Sequence, residues 1–219
     1  MFLGHFALGF AAKTAAPRVS LGTLFLGAQL IDLLWPTFLL LGWERVRIEP
    51  GATAVTPLVF EHYPYTHSLL AVLLWALLLG GLHWAWRRDR RAAALLGLLV
   101  LSHWLLDAVV HRPDLPLVPW GETMAGLRLW FSRPLTLALE VPLFALGVWL
   151  YVRATRARDA AGRWGLAALV LFLGIVYAGN LWGEPPPSVQ AIAWVGQLQW
   201  LLVVWGWWVD RHRRVMVAD

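Results

Sequence analysis

Six ionisable residues interrupt the long apolar runs of this 219-residue chain: His5, Asp32, His67, His103, Asp107 and Glu140. On insertion scales each costs about 2.5–3.5 kcal/mol inside a membrane span, so such residues are functional candidates by default. Two of them open a motif. His103, Asp107 and His111 stand at i, i+4 and i+8, which places them in one stripe on a helix, with a rise of about 6 Å per step. An imidazole and a carboxylate one turn apart can ligate one metal ion, as paired histidines do in helical zinc motifs. A second cluster, Glu61-His62-Tyr63-Pro64-Tyr65-Thr66-His67-Ser68, sits where a loop enters a span. Thr66 reads as the N-cap of that span, which puts His67 in its first turn and leaves His62 on the loop.

These residues stand in an unusual background. The chain is 59% hydrophobic and 14% charged, with 16 Trp. An ordinary soluble domain is about 45–50% apolar and about 25% charged. The composition excludes a soluble enzyme, a disordered chain and a coiled coil, and indicates an integral membrane protein. The absence of cysteine excludes disulfides, thiolate zinc sites and cysteine nucleophiles. The net charge of +5 does not indicate nucleic acid, because the basic residues fall in short clusters between apolar runs. No basic n-region precedes the first apolar stretch, so a cleaved signal peptide is not expected.

The elements that must position the candidates follow from the apolar runs. Residues 2–16 are too short for a span of about 20 residues and read as a short helix packed within the bundle. Full spans are expected at 20–42, 66–86, 92–110, 134–152, 164–182 and 188–209. The fold class is an all-α polytopic bundle, one integral membrane domain over 1–219. The loop at 43–65 suggests a short hairpin around Arg47 to Val55, and the loop at 111–133 a surface helix near 121–131. Lys13 and Arg18, the four Arg of 87–91, the four Arg of 153–163 and the tail Arg211, Arg213 and Arg214 mark one side. The positive-inside rule makes that side cytoplasmic, with the C-terminus on it.

Rise per residue then gives depth. His5 and Asp32 sit about 18–23 Å above the turn at Pro17, and His103 and Asp107 about 18 and 24 Å above Arg91. His67 lies higher, at about 30 Å, within reach through tilt or a bend. These depths permit convergence near the outer face. Each candidate also has a plainer reading: a buried ion pair or proton relay for His103 and Asp107, and a partner for an Arg or for the kink at Pro36 in Asp32. His5 has interhelical hydrogen bonding as its plain reading. Glu140 belongs to no cluster. His83 reads as interfacial and His212 as solvated. The stripe from Trp200 to Trp208 reads as an anchor, and Asn180, Gln197 and Gln199 as polar contacts between helices.

Taken in order, these motifs resemble a family of inner-membrane, LexA-binding, metal-dependent hydrolases. Gly4-His5 is similar to its N-terminal Gly-His. The segment from Gln29 to Pro36 is similar to a reduced acidic motif, and His62-Tyr63-Pro64-Tyr65-Thr66-His67-Ser68 to its His-Arg-x-x-Thr-His-Ser. Ser102-His103-Trp104-Leu105-Leu106-Asp107 is similar to its Ser-His-x-x-x-Asp. The likeness covers about residues 1–117 and leaves 118–219 unmatched. It implies a bacterial inner-membrane location and a metal site. Here the acidic segment keeps only Asp32, and Tyr63 stands where the family has Arg, so one metal or two stays open. The stripe of His103, Asp107 and His111 also bears a distant likeness to zinc-dependent phospholipases C.

The leading expectation is therefore a hydrolase that uses a divalent metal, zinc first. His67, His103 and Asp107 are the expected ligands, with His5, Asp32, His62 or His111 completing one or two sites. Asp32 or Glu61 would act as general base, and Arg112 and Arg128 would hold a phosphate. Membrane lipid is the environment and a candidate substrate, as a phospholipid or other amphiphilic ester; oligomeric state is not legible. Two alternatives stand beside this: a metal-ion or proton transporter or channel, and a scaffold whose polar residues only join helices.

Overall fold

A bilayer offers the backbone no water, so every N–H and C=O of a span must bond within the protein. The apolar runs accordingly fold as helices. A computed structural model describes residues 1–216. Helix α1 covers Phe2–Ala11, α2 Leu21–Leu40, α3 Pro64–His67, α4 Leu69–Arg87, α5 Arg90–Val110, α6 Arg133–Ala154, α7 Ala160–Trp182, α8 Val189–Gln197 and α9 Gln199–Arg211. Among the described residues, six helical stretches are long and apolar enough to cross a membrane: α2, α4, α5, α6, α7 and the consecutive α8 and α9. The fold is the all-α polytopic bundle that the sequence indicates.

Each of these six stretches begins on a polar side chain that takes up an otherwise orphaned backbone N–H. Ser20 accepts from Thr23, Ser68 from Ala71, Asp89 from Ala92, Ser132 from Leu135, Asp159 from Gly162 and Ser188 from Ala191. Thr66 is not the cap of α4. The chain is extended at Ser68 (φ −70°, ψ 143°), which separates α3 from α4 and leaves His67 at the end of α3 rather than in the first turn of the span. The last stretch is also not one helix, because its hydrogen bonding changes at Leu198 between α8 and α9.

Helix α1 spans only 10 residues, about 15 Å of rise. It does not cross. Leu3, Phe6, Ala7 and Phe10 are each at most 3% exposed, packed against α2 and α6. Phe25 meets Phe6 and Phe10 edge-on, with ring centroids 5.1 and 4.9 Å apart. Helix α2 lies at the centre, with α1, α5, α8 and α9 around it. Small residues let the backbones approach, as bilayer packing requires. A Cβ on Gly80 of α4 would stand 2.9 Å from the Ala93 carbonyl oxygen of α5, and one on Gly97 would stand 3.3 Å from that of Ala76. Gly147 of α6 lies directly against the backbone of Ala7.

The loops depart from expectation. The hairpin is longer than the one expected around Arg47 to Val55, and pairs β1 (Arg45–Ile48) with β2 (Leu58–His62). Its long tip folds over the bundle, where Ala54 N–H donates to the Trp130 carbonyl at 3.0 Å and Arg133 donates to the Ala54 carbonyl at 2.8 Å. Residues 121–131 do not form a surface helix. They hold β4 (Met124–Ala125), paired with β3 (Leu115–Pro116), and a 3-10 turn at Leu129–Phe131. Positive φ at Gly126 (152°) and Arg128 (67°) breaks any helix there. At the opposite end β5 (Thr155–Ala157) pairs with β6 (Arg213–Val215). Lys13, which reads in sequence as a flanking charge, is buried and bonds Asp210 at 2.7 Å.

Gly147→Ala should therefore force α6 off α1 and lower stability by about 1–3 kcal/mol. Gly174→Ala, with nothing within 4 Å of its new Cβ, should stay within about 1 kcal/mol of the parent. Unfolding midpoints in detergent compare the two.

Candidate functional site

Four elements bring their ionisable residues to one point near the end of the bundle that carries the β1–β2 hairpin. Helix α1 supplies His5, α2 supplies Asp32, α3 supplies His67, and α5 supplies His103 and Asp107. Asp107 Oδ1 is 3.1 Å from His5 Nε2, and its Oδ2 is 3.2 Å from His103 Nε2 and 3.9 Å from His67 Nε2. Asp32 Oδ1 lies 3.5 Å from both His67 Nε2 and His103 Nε2. The rings of His5 and His103 stack with centroids 3.6 Å apart. All are buried except Asp32, whose side chain is 27% exposed. Two overlapping triads share His103: His5, His103 and Asp107, and Asp32, His67 and His103.

Hydrogen bonds behind these residues fix which nitrogen faces inward. His103 Nδ1 lies 2.9 Å from the Ala28 carbonyl. A carbonyl only accepts, so Nδ1 carries a proton, and Nε2 is the nitrogen that faces the two carboxylates. Among the described residues His103 Nε2 is buried without a hydrogen-bond partner. The His67 side is built from a residue that sequence reasoning passed over. Glu44, buried in the loop after α2, accepts from the Tyr65 and Thr66 backbone N–H groups at 2.9 and 2.8 Å, and from the Thr66 hydroxyl at 2.7 Å. That hydroxyl has one proton and gives it to Glu44, so it must accept from His67 Nδ1, 2.7 Å away. His67 Nε2 is then the nitrogen directed at the cluster. Burial raises the Glu44 pKa, while nearby His67 and the three donors pull it back down.

Glu140 of α6, a sequence candidate that belonged to no cluster, also acts from behind. It accepts from the Leu3 and Gly4 N–H groups at 2.8 and 3.4 Å. It thereby caps the N-terminal turn of α1 and sets the position of His5 one residue on. The Met1 amine nitrogen donates to Asp107. The signal for Glu140 was its place within a span, and the signal for Glu44 was absent because loop acids are ordinary.

A cavity of about 430 Å3 opens over the cluster. Asp32, His67 and Asp107 line it, with Trp35, Phe60 and Trp130 as apolar wall and Arg133 beside the hairpin tip. The remaining sequence candidates lie elsewhere. His111 lines the cavity but stands outside both triads, because α5 ends at Val110 and His111 is extended (φ −63°, ψ 151°). Its Nδ1 lies 3.1 Å from Asp114 Oδ1, and burial lowers its pKa. Tyr63, which stands where the resembled motif has Arg, is buried and donates to the same Asp114 oxygen at 3.1 Å. His62 ends β2 with its ring edge-on to Tyr65, away from the cluster. Glu61 accepts from Arg47 at 3.0 Å on the exposed hairpin, so the structure does not bring it to the site. Arg112 pairs with Asp114 at 3.0 Å, and the Arg128 guanidinium lies over the Phe131 ring at 5.2 Å. Neither lines the cavity; Arg133 does.

The chain belongs to the YdjM inner membrane protein family, whose model matches residues 1–183. The match runs past the residues that carry the sequence motifs and takes in α6 and α7, with Glu140 and Arg133. No curated protein matches the chain, and no solved structure does. Neither LexA binding nor the likeness to zinc-dependent phospholipases C finds support in these comparisons.

Glu140→Ala should leave the Leu3 and Gly4 N–H groups without acceptors, at about 1–3 kcal/mol. Glu140→Gln keeps an acceptor oxygen and should cost less. Hydrogen exchange at Leu3 and Gly4 in detergent reports the difference, and unchanged protection in Glu140→Ala would show that the carboxylate does not hold α1.

Proposed function

We propose that this member of the YdjM inner membrane protein family is a hydrolase that uses a divalent metal. The observation that carries the reading is the convergence of His5, Asp32, His67, His103 and Asp107, with the Nε2 atoms of three imidazoles turned toward two carboxylates, one of which also accepts from the Met1 amine. Lone pairs and carboxylate oxygens repel one another unless a cation or a proton joins them. The separations of 3.1–3.9 Å bracket the edge of about 3.4 Å expected between ligands on zinc bonds of ~2.0–2.1 Å. Nitrogen and carboxylate donors suit zinc. His67, His103, Asp107 and His5 would hold the ion. When bound, such an ion supplies Lewis acidity and lowers the pKa of a coordinated water.

The chain's own residues supply the rest. Asp32, the member with solvent access, is placed to take a proton from water in the cavity. Glu61 is too far out on the hairpin for that role. Arg133 is the guanidinium at the cavity and takes the part that the sequence gives to Arg112 and Arg128, holding an anionic oxygen. Trp35, Phe60 and Trp130 receive the apolar part of an amphiphilic ester or phosphoester. The arginine-rich end is cytoplasmic by the positive-inside rule, which sets the metal centre near the outer face and the C-terminus inside. A transport path fits less well. Below the cluster the bundle interior is Phe6, Phe10, Leu21 and Phe25, and beyond them buried Lys13 is neutralised by Asp210.

Metal analysis of the detergent-purified protein tests the reading directly. About one zinc per chain is expected, lost in the His103→Ala/Asp107→Ala double variant. A metal-free parent protein, or metal content untouched by that pair, would falsify it. A subtler test uses Glu44→Gln. The amide would donate to Thr66, reverse the hydroxyl and turn a protonated Nε2 of His67 into the cluster. Metal affinity should fall about 10- to 100-fold while the unfolding midpoint stays near that of the parent.

A further inference from the structure

At the opposite end of the bundle lies a second cavity, of about 1300 Å3, between the end of α4, the start of α5 and the end of α9, with the start of α2 behind it. Six arginines line it: Arg18, Arg87, Arg88, Arg90, Arg91 and Arg211. Two carboxylates also line it, and both are committed elsewhere. Asp89 caps α5 through Ala92 N–H at 3.0 Å. Asp210 accepts from Lys13 at 2.7 Å and from the Tyr151 hydroxyl at 2.9 Å. Among the described residues none of the six guanidinium groups forms an ion pair with a carboxylate. The cavity therefore gathers six positive charges against one carboxylate, Asp89, that no cation among the described residues pairs with.

Its walls are not those of a general basic surface. Trp86 is 75% exposed, and the Arg87 guanidinium lies 4.2 Å from its ring centroid. Trp207 is held by its indole N–H to Thr23 Oγ1 at 3.0 Å. Tryptophan of this kind marks the level of lipid headgroups. His83, on the same face of α4, buries an Nε2 that has no partner among the described residues. From the cavity, Leu82 on α4 and Val204 on α9 continue as exposed apolar surface, 61% and 53% accessible. A ligand that fits carries a phosphate oxyanion at this level and hydrocarbon running toward the bundle's middle.

We infer that this groove seats the headgroup of an anionic phospholipid. Guanidinium groups donate to phosphate oxygens in pairs, and basic pockets between membrane helices recognise lipid headgroups by that chemistry. The site is independent of the metal centre at the other end. It also gives the tight turn at 87–91 a role beyond orienting the chain, since the left-handed Arg88 (φ 57°) caps α4 and turns the chain back toward the groove.

Native mass spectrometry of the full chain in detergent, titrated with phosphatidylglycerol or phosphatidylcholine, tests this. Phosphatidylglycerol should bind about tenfold or more tightly than phosphatidylcholine. The Arg18→Gln/Arg90→Gln/Arg211→Gln variant should lose that preference. Arg153→Gln/Arg156→Gln/Arg158→Gln removes the same charge from the neighbouring connection, outside the groove, and should keep it. If the first triple variant does not purify, Arg18→Gln and Arg211→Gln singly should each weaken phosphatidylglycerol binding about fivefold. Equal binding of the two lipids, equal loss in both triple variants, or single variants that bind like the parent would overturn the inference. So would displacement of the lipid by millimolar inorganic phosphate, which would make the occupant a free anion.

Discussion

Asp107 is the point on which the hairpin end of the bundle depends. Its two oxygens face His5 of α1, His67 of α3 and His103 on its own helix, one turn away. A carboxylate in an apolar bundle is tolerated only when its oxygens are met by donors or by a cation. Meeting them here takes residues from three separate elements, α1, α3 and α5. The cost of burying one acid thus specifies where α1 and α3 sit relative to α5. Asp32 shares the arrangement from α2 and, being partly open to the cavity, is the member with access to solvent.

The helices that carry His5 and His67 are short, 10 and 4 residues. Neither is long enough to be stable alone, and in both an acid from elsewhere lies at the N-terminus. Glu140 accepts from the first turn of α1, and Glu44 from the first residues of α3. The same solution therefore appears twice: a negative charge placed where a helix presents free N–H groups and the positive end of its dipole. Both acids sit behind a histidine rather than in front of it. Glu44 additionally sets the tautomer of its histidine through Thr66, as the partners behind metal-binding histidines do.

Much of this arrangement was legible in the chain. The apolar runs gave the spans within a few residues, and rise per residue placed His5, Asp32, His103 and Asp107 in one layer. What escaped did so for local reasons. Thr66 and Ser68 are both reasonable caps, and only the packing of Glu44 on Thr66 leaves Ser68 to cap α4; that choice moves His67 off the span and inward. The i+8 place of His111 assumed a helix that ends one residue too early. Glu61 and Glu44 look alike in sequence, but one pairs with Arg47 on an exposed strand and the other is buried under α3. Arg133 was hidden because an arginine at the start of a span reads as an interfacial anchor. Its contact with Ala54 depends on a hairpin tip whose length the register of β1 and β2 decides.

The segregation of charge gives the scarcity of charge its meaning. Asp32, Asp107 and Glu140 lie at one end, and six arginines without carboxylate partners line the other. Between them the core is aromatic and aliphatic, with α1 packed inside it. In water such separated charge would be screened over about 10 Å; across an apolar bundle it is not, so each end must be neutralised by something that approaches from its own side. Acidic groups gathered with imidazole nitrogens call for a cation, and clustered guanidinium groups with interfacial tryptophan call for a phosphate. The two requirements are separate in space and in sign, and a single ligand cannot meet both. A molecule bound at the arginine end would therefore bear on the histidine and carboxylate cluster through the helices that line both cavities: α2 with Thr23 and Asp32, α5 with Arg90 and Asp107, and α9 with Trp207 and Gln199.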